Sequence, residues 1–310
     1  MNNPTMSLKE WALLILLSVI WGGSFFFTEI ILRELQPFTL VLGRTALAAI
    51  VLVAILYASG RKMPWSLGVW ASFAVIGLLN NMIPYSLIVW GQQYLDSGFA
   101  SVLIATTPLF TIVFAHFLTN EEKLTLNRMM GVIISLSGVI VMIGPKALFG
   151  AGMYGFASIA VLGAACSYAL AGIYGRRFRG MDAIIPAAGM LVCSAVLMIP
   201  IAWLIERPIM VDLEPITWIS LLGLAVLSTA IAYLIYYRLL KTAGATNVLL
   251  VTFLIPVSAI LLGWLVLGER LDWMMIGGMV IIYAGLILID GRVLKNVGER
   301  RKRLTQTYPK

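Results

Sequence analysis

Charge is what this sequence has least of for its length. Only 12% of its 310 residues are Asp, Glu, Lys or Arg, where soluble domains carry about a quarter. Such a chain cannot cover a globular surface with polar groups. It has a single histidine and two cysteines. Cys166 and Cys193 both fall inside apolar runs, so they read as small packing residues and not as a disulfide framework. His116 is alone and near the end of an apolar run, and no acid falls at the middle of one. Metal-ligand sets and nucleophile–base pairs of the kind a membrane-embedded enzyme needs are therefore missing. A charged pore ring, as a channel would use, is missing too. No glycine-rich nucleotide-binding motif is present, which excludes ATP-driven transport by this chain alone. The sequence calls for no metal, cofactor, nucleotide or nucleic acid.

What is there is apolar sequence in lengths that match a bilayer, with 61% of residues hydrophobic and runs of about 20 residues. We count ten spans, at 11–32, 37–58, 68–91, 97–118, 125–144, 153–175, 184–205, 216–239, 246–267 and 272–291. The first is too long for a signal-peptide core and lacks a small-residue cleavage pattern, so it is kept as a span. Loops are short and leave no room for a soluble domain. The net charge of +8 follows from the positive-inside rule. With the N-terminus in the cytoplasm, only Arg33, Lys146, Arg207 and Arg270 fall in outer loops and Arg44 lies within a span, and the other Lys and Arg of the 22 are cytoplasmic. Both termini are then inside. The basic tail, with Arg300, Arg301, Lys302 and Arg303, is a solvated end or an anionic-lipid contact.

The chain also repeats itself. Leu103–Leu124 and Leu249–Leu271 are apolar runs with a central proline, Pro108 or Pro256. They close on Glu122-Lys123-Leu124 and Glu269-Arg270-Leu271. Gly131 and Gly138 follow the first, and Gly278 and Gly285 the second. Tyr85 matches Tyr233 at the same offset. The expected organisation is an all-α integral membrane protein of two five-helix repeats, 1–146 and 147–292, with a tail at 293–310. Five is odd, so the second copy enters the membrane inverted relative to the first, as transporter repeats that meet at a midplane site do.

Polar groups at mid-depth are costly unless paired or facing a cavity, so span centres hold the candidates. The third centres on Asn80 and Asn81, with Pro84 and Tyr85 a turn later; Asn81, Tyr85 and Gln92 share a face. The eighth centres on Ser228 and Thr229, leading to Tyr233 and Tyr236. The repeat pairs Asn81 with Thr229 and Tyr85 with Tyr233. The first centres on Trp21, with Ser24 and Thr28 on one side, and the sixth sets Tyr168 opposite Trp21. Candidate cavity residues are thus Trp21, Ser24, Asn80, Asn81, Tyr85, Tyr168, Thr229 and Tyr233. Pro108 and Pro256 are expected to leave carbonyls free at the midplane, and with Pro84 they are the kink or gating candidates. Glu29 and Arg44 could pair, as a structural ion pair or an outer gate. The heptad-spaced glycines of the fifth and tenth spans read as scaffold, flat faces for close helix packing.

These residues resemble the drug/metabolite transporter superfamily, in particular its ten-helix EamA-type exporters. The resemblance rests on Trp21-Gly22-Gly23-Ser24-Phe25, on Arg44 a few residues after Pro37, on Pro108 and Pro256, and on the paired Glu-basic-Leu turns. It covers nearly the whole chain. It implies export of small metabolites across the cytoplasmic membrane, amino acids among them, as in the YddG-type branch. The amide and aromatic lining suits an uncharged or zwitterionic solute; the alternative within transporters is a broad drug or metabolite efflux carrier. The expected partners are a small-molecule substrate and the lipid bilayer, and the sequence sets no oligomeric state. The topology has a direct check. Single cysteines at Asp96 or Asp212 are expected to react with an impermeant thiol reagent from outside, and those at Lys62 or Gly180 are not. Labelling in the reverse pattern would overturn the orientation.

Overall fold

The computed structural model describes residues 6–119, 125–144, 152–207, 213–248, 250–270 and 272–290, the side chains of 245, 246 and 290 excepted. Ten apolar helical spans run through them. They are α1 (Leu8–Ile31), α2 (Pro37–Ala58), α3 (Leu67–Gly91), α4 (Ser97–Leu118), α5 (Leu126–Ile143), α6 (Met153–Phe178), α7 (Ile184–Ile205), α8 (Pro215–Thr242), α9 (Val251–Leu267) and α10 (Trp273–Asp290). Eight are long and apolar enough to cross a bilayer, and α9 and α10 are shorter apolar helices. Their outer faces carry large exposed side chains such as Phe117, Trp203, Leu204 and Trp264. That is a surface suited to lipid and not to water. The chain is a multi-pass membrane protein. The basic tail, Lys146 and the Glu122-Lys123-Leu124 turn lie outside the described residues.

Helix ends are set by local chemistry. Ser7 and Glu10 form a capping box at α1, with the Ser7 amide donating to Glu10 Oε2 at 2.7 Å. Pro37 and Pro215 open α2 and α8, where a missing N–H costs nothing. Two amino termini, that of α2 among them, are also capped from a distance. The Phe38 and Thr39 amides of α2 donate to Glu206, just past α7, at 2.8 and 2.7 Å. The Ser97 and Gly98 amides of α4 donate to Glu269, just past α9, at 2.8 and 3.2 Å. Each carboxylate fills donors the helix cannot satisfy itself and sits at the positive end of its dipole. The opposite end of the α2–α7 pair is held by Arg61 against Asp182. The pair is therefore strapped at both ends.

The glycine faces of α5 and α10 meet as their spacing predicts, in the most extensive helix contact of the molecule. A Cβ on Gly278 would lie 2.7 Å from Gly138 O, and one on Gly131 would lie 2.6 Å from Gly285 O. Ser135 uses the same closeness to donate to Ile282 O at 3.2 Å. Gly277, next in sequence, faces open space. Gly278→Ala is expected to cost about 1–3 kcal/mol through overpacking against backbone, and Gly277→Ala close to nothing. Thermal unfolding of the two variants in the same detergent checks this; equal midpoints would mean that the contact contributes little.

Candidate functional site

Three spans contain π-helical stretches; one stretch is Gly263–Leu267 at the end of α9, and the other two fall at matching positions of the repeat. In α3 the stretch Leu78–Met82 is π-helical, and in α8 the stretch Gly223–Ile231 is. The first holds Asn80 and Asn81, the second Ser228 and Thr229. A π turn widens the helix and loosens its hydrogen-bond ladder, so side chains and neighbouring helices can reach its carbonyls. Both segments show this. Ser167 of α6 donates to Leu79 O at 2.7 Å, and Thr229 donates to Leu224 O at 2.9 Å, five residues back. Nothing in the residue pattern announces these segments. Pro84 denies Asn80 O its usual i+4 donor, but Pro256 does the same to its own helix without a π turn around it, so a proline does not mark the first segment, and the second has none.

The widened turns bring the amides and phenols together. The Tyr233 hydroxyl accepts from Asn80 Nδ2 at 2.8 Å and donates to Asn81 Oδ1 at 3.0 Å. The Tyr85 hydroxyl lies 3.3 Å away. One donor and two acceptor positions are all a phenol has, and here all three are used. Asn81 Nδ2 in turn donates to Ser194 Oγ of α7 at 3.3 Å, and that hydroxyl bonds Met190 O at 2.7 Å. Asn81 and Thr229 are almost fully buried, and Tyr85 and Tyr233 nearly so. Ser194 was not among the sequence candidates; a lone serine in an apolar helix carries no signal of its own.

Arg44 completes this cluster and corrects an expectation. The Glu29–Arg44 ion pair does not form. Arg44 is buried, its Nε donates to Thr229 Oγ1 at 3.0 Å, and its Cζ stands 3.6 Å from the centre of the Tyr85 ring. Glu29 points elsewhere, within electrostatic reach of Glu269, Arg33 and Asp96. Among the described residues the one salt bridge is Arg61–Asp182, so the Arg44 charge is met by a ring face and a hydroxyl. A desolvated cation–π contact is worth about 2 kcal/mol. The terminal amino groups of Arg44 have no protein partner among the described residues, and neither is sealed from accessible space.

The remaining candidates line up around this centre in different ways. The Trp21 ring lies 5.7 Å from that of Tyr236. Tyr168 packs against both the α1–α9 cluster and the one around Tyr85. Tyr168, Tyr236 and Tyr237 are each partly buried. Ser24 is spent locally, its hydroxyl donating to Trp21 O. The prolines differ from one another. Pro256 lies inside a continuous α-helix and Pro84 in the first turn after the π segment. Pro108 follows a break in α4 at Ala105 and Thr106. The expectation of free carbonyls at Pro108 is also corrected. Its missing N–H would have served Ile104 O, which accepts instead from Thr107 Oγ1 at 2.7 Å, and Leu103 O accepts from Thr106 Oγ1 at 2.6 Å. Two openings lie away from the centre. One, of about 450 Å³, lies beside Phe26, Arg33, Glu34 and Glu214 at one end of the bundle.

Known proteins are similar to this chain over nearly its full length. The chain is 30% identical over 287 residues to the uncharacterized inner membrane transporter YedA of Escherichia coli K12, covering 90% of each chain. It is 27% identical to the uncharacterized transporter YoaV of Bacillus subtilis, over 89% of this chain and 94% of that one. It is 25% identical to protein PecM of Dickeya dadantii, over 97% and 98%. A solved crystal structure superposes with a TM-score of 0.65 at 18% identity, over 91% of this chain and 97% of that one. The model of the EamA-like transporter family matches twice, at residues 9–144 and 155–290. Two matches that together take in all ten spans leave one assignment: this chain belongs to the EamA-like transporter family.

Proposed function

We propose that the protein is a secondary transporter that exports small metabolites across the cytoplasmic membrane, with neutral and aromatic amino acids as its substrate class. It works by alternating access around the centre where Arg44, Tyr85, Asn80, Asn81, Thr229 and Tyr233 meet. In this reading the halves 1–146 and 147–292 are inverted repeats and both termini are cytoplasmic. Two separate family matches and an odd number of spans per half support that organisation. The observation that carries the reading is the pair of π segments at equivalent positions, each delivering amide or hydroxyl groups to one shared cluster from opposite halves.

The substrate class follows from what the centre offers. The unpartnered amino groups of Arg44 suit a carboxylate, which takes two parallel N–H bonds from one guanidinium. Asn80, only half-buried, offers an amide, and the Trp21–Tyr236 wall offers apolar rings for a side chain. A lipophilic cation would meet the Arg44 charge with repulsion, which disfavours a broad carrier of cationic drugs. The test is exchange of labelled amino acids by the protein in liposomes, normalised to folded protein. Asn81→Ala and Thr229→Ala are each expected to weaken apparent affinity several-fold, because Asn81 orients the amide–phenol cluster and Thr229 holds the Arg44 guanidinium in place. Trp21→Ala is expected to cost more, since apolar contact area goes with it. Leu197→Ala, on an exposed face, serves as the lipid-side control. If the three central variants match that control, the cluster is packing and the site lies elsewhere.

A further inference from the structure

Among the described residues three buried side-chain polar atoms have no hydrogen-bond partner: Glu29 Oε2, Gln92 Oε1 and Ser97 Oγ. All three lie in one region, where the end of α1 meets the turn between α3 and α4. Gln92 is 4% exposed and its amide nitrogen donates to Phe25 O at 3.0 Å, one helical turn before Glu29. Ser97 is 0% exposed, and its backbone amide donates to Glu269 at 2.8 Å. Glu29 lies within electrostatic reach of Glu269 and Asp96 and of one cation, Arg33. Arg270 shares a cleft with Asp96 and Glu269 on the far side.

The charges here are not equally placed. Glu269 is held by two backbone amides at the start of α4, so its negative charge has donors and a helix dipole to face. Arg33 and Asp96 are exposed. Glu29 has a buried oxygen that meets no donor, and its nearest charged neighbours include two acids. An orphaned buried acceptor costs about 1–3 kcal/mol, and more when charged. A metal ion would need oxygens that converge on one point, and among the described residues no three His, Cys, Asp or Glu side chains do. A proton needs only one oxygen. It removes the charge from Glu29 and turns an acceptor without a donor into a donor. The opening of about 450 Å³ reaches Ile30 and Arg33, the first next to Glu29 in sequence and the second just past the end of α1, which gives water a route close to the carboxyl.

We propose that Glu29, in the same region as Gln92 and Ser97, is a proton-binding site that couples export of the solute to proton movement. The coupling half rests on the transport reading above; the binding half does not. Loading places a proton on the Glu29 carboxylate, and release returns it to water on whichever side the site then faces.

Two measurements separate the halves. Infrared difference spectra of the purified protein between pH 5 and pH 9 report protonated carboxyl groups without any solute. A carbonyl band still present near neutral pH is expected in the wild type and in Glu34→Gln, and absent from Glu29→Gln. Absence of any such band lost in Glu29→Gln would overturn the proposal. In liposomes, the ratio of solute flux with a tenfold proton gradient to flux at equal pH is expected to be several-fold in the wild type. In Glu29→Gln it should be close to one, and Glu29→Asp should recover part of it. A gradient response retained by a folded Glu29→Gln, or one driven by sodium in place of protons, would also overturn it. Wild-type protein that moves none of the panel solutes but shows the Glu29 band would sink the amino-acid reading and leave the proton site standing.

Discussion

Everything polar in the middle of this protein has to find a partner inside it. Hydrocarbon offers no hydrogen bonds, and an unmet group there costs several kcal/mol. The Tyr233 hydroxyl shows how that constraint shapes the fold. It can bond three groups, and they come from α3 alone: Asn80, Asn81 and Tyr85. A single phenol from one half thus closes the polar stripe of a span from the other. Asn81 passes the same demand on to Ser194 of α7, and Thr229 passes it to Arg44 of α2. Four spans are tied through one set of satisfied bonds. Such a network specifies relative depth and rotation, because a shift by one residue would orphan several groups at once.

The π segments are the backbone's part in that arrangement. A regular α-helix would point Asn80 and Asn81 about 100° apart, and only one could face α8 squarely. The widened turn at Leu78–Met82 lets both amides contact Tyr233 or its neighbours, with Asn80 Nδ2 reaching Asn81 Oδ1 at 3.4 Å. The carbonyls this loosens are not wasted, since Ser167 takes one from across the bundle. Around Pro108 the same problem is solved differently. Thr106 and Thr107 fold their own hydroxyls back onto Leu103 O and Ile104 O, so a break in a membrane helix leaves no orphan behind. The structure accordingly relies on short polar side chains wherever the helical ladder is interrupted.

Much of this was readable from residues because bilayer thickness leaves little freedom in span length. The expected spans agree with α1 to α10 to within a few residues at each end. The glycine faces were legible for a related reason: backbone contact requires glycine, and a heptad spacing keeps it on one side of a helix. The duplication aligned Asn81 with Thr229 and Tyr85 with Tyr233, and the structure brings these four residues into one neighbourhood. What stayed hidden depends on long-range geometry. Arg44 lies nearly two hundred residues from Thr229 in sequence, and opposite charge made Glu29 the more natural partner on paper. The π segments have no residue signature of their own. The role of Glu269 was hidden in a different way, since the Glu-basic-Leu turn reads as a surface loop until α4 is seen to begin on top of it.

That turn, and its counterpart at Glu206, sets how the helices can move against one another. An acid that bonds two amides at a helix start makes charge-assisted bonds of about 1.5–3 kcal/mol each. Glu206 adds a third, from the Thr39 hydroxyl at 2.7 Å. With Arg61 and Asp182 at its other end, the α2–α7 pair resists separation at both ends, and its two helices pack along their whole length. It behaves as a strut. The α1–α9 and α3–α6 pairs carry no strap of that kind among the described residues, although each packs closely through small side chains such as Gly22 against Ser258 and Gly91 against Val161. Smooth faces of this sort slide at lower cost than interlocked charges break. Under the proposed alternating access, the motion that exposes the centre to each side falls on these two pairs, and α1 carries both Trp21 beside Tyr236 and Glu29 at the end of the bundle. A tilt of that single helix moves the aromatic wall and the carboxyl together, which is the mechanical link a coupled transporter needs.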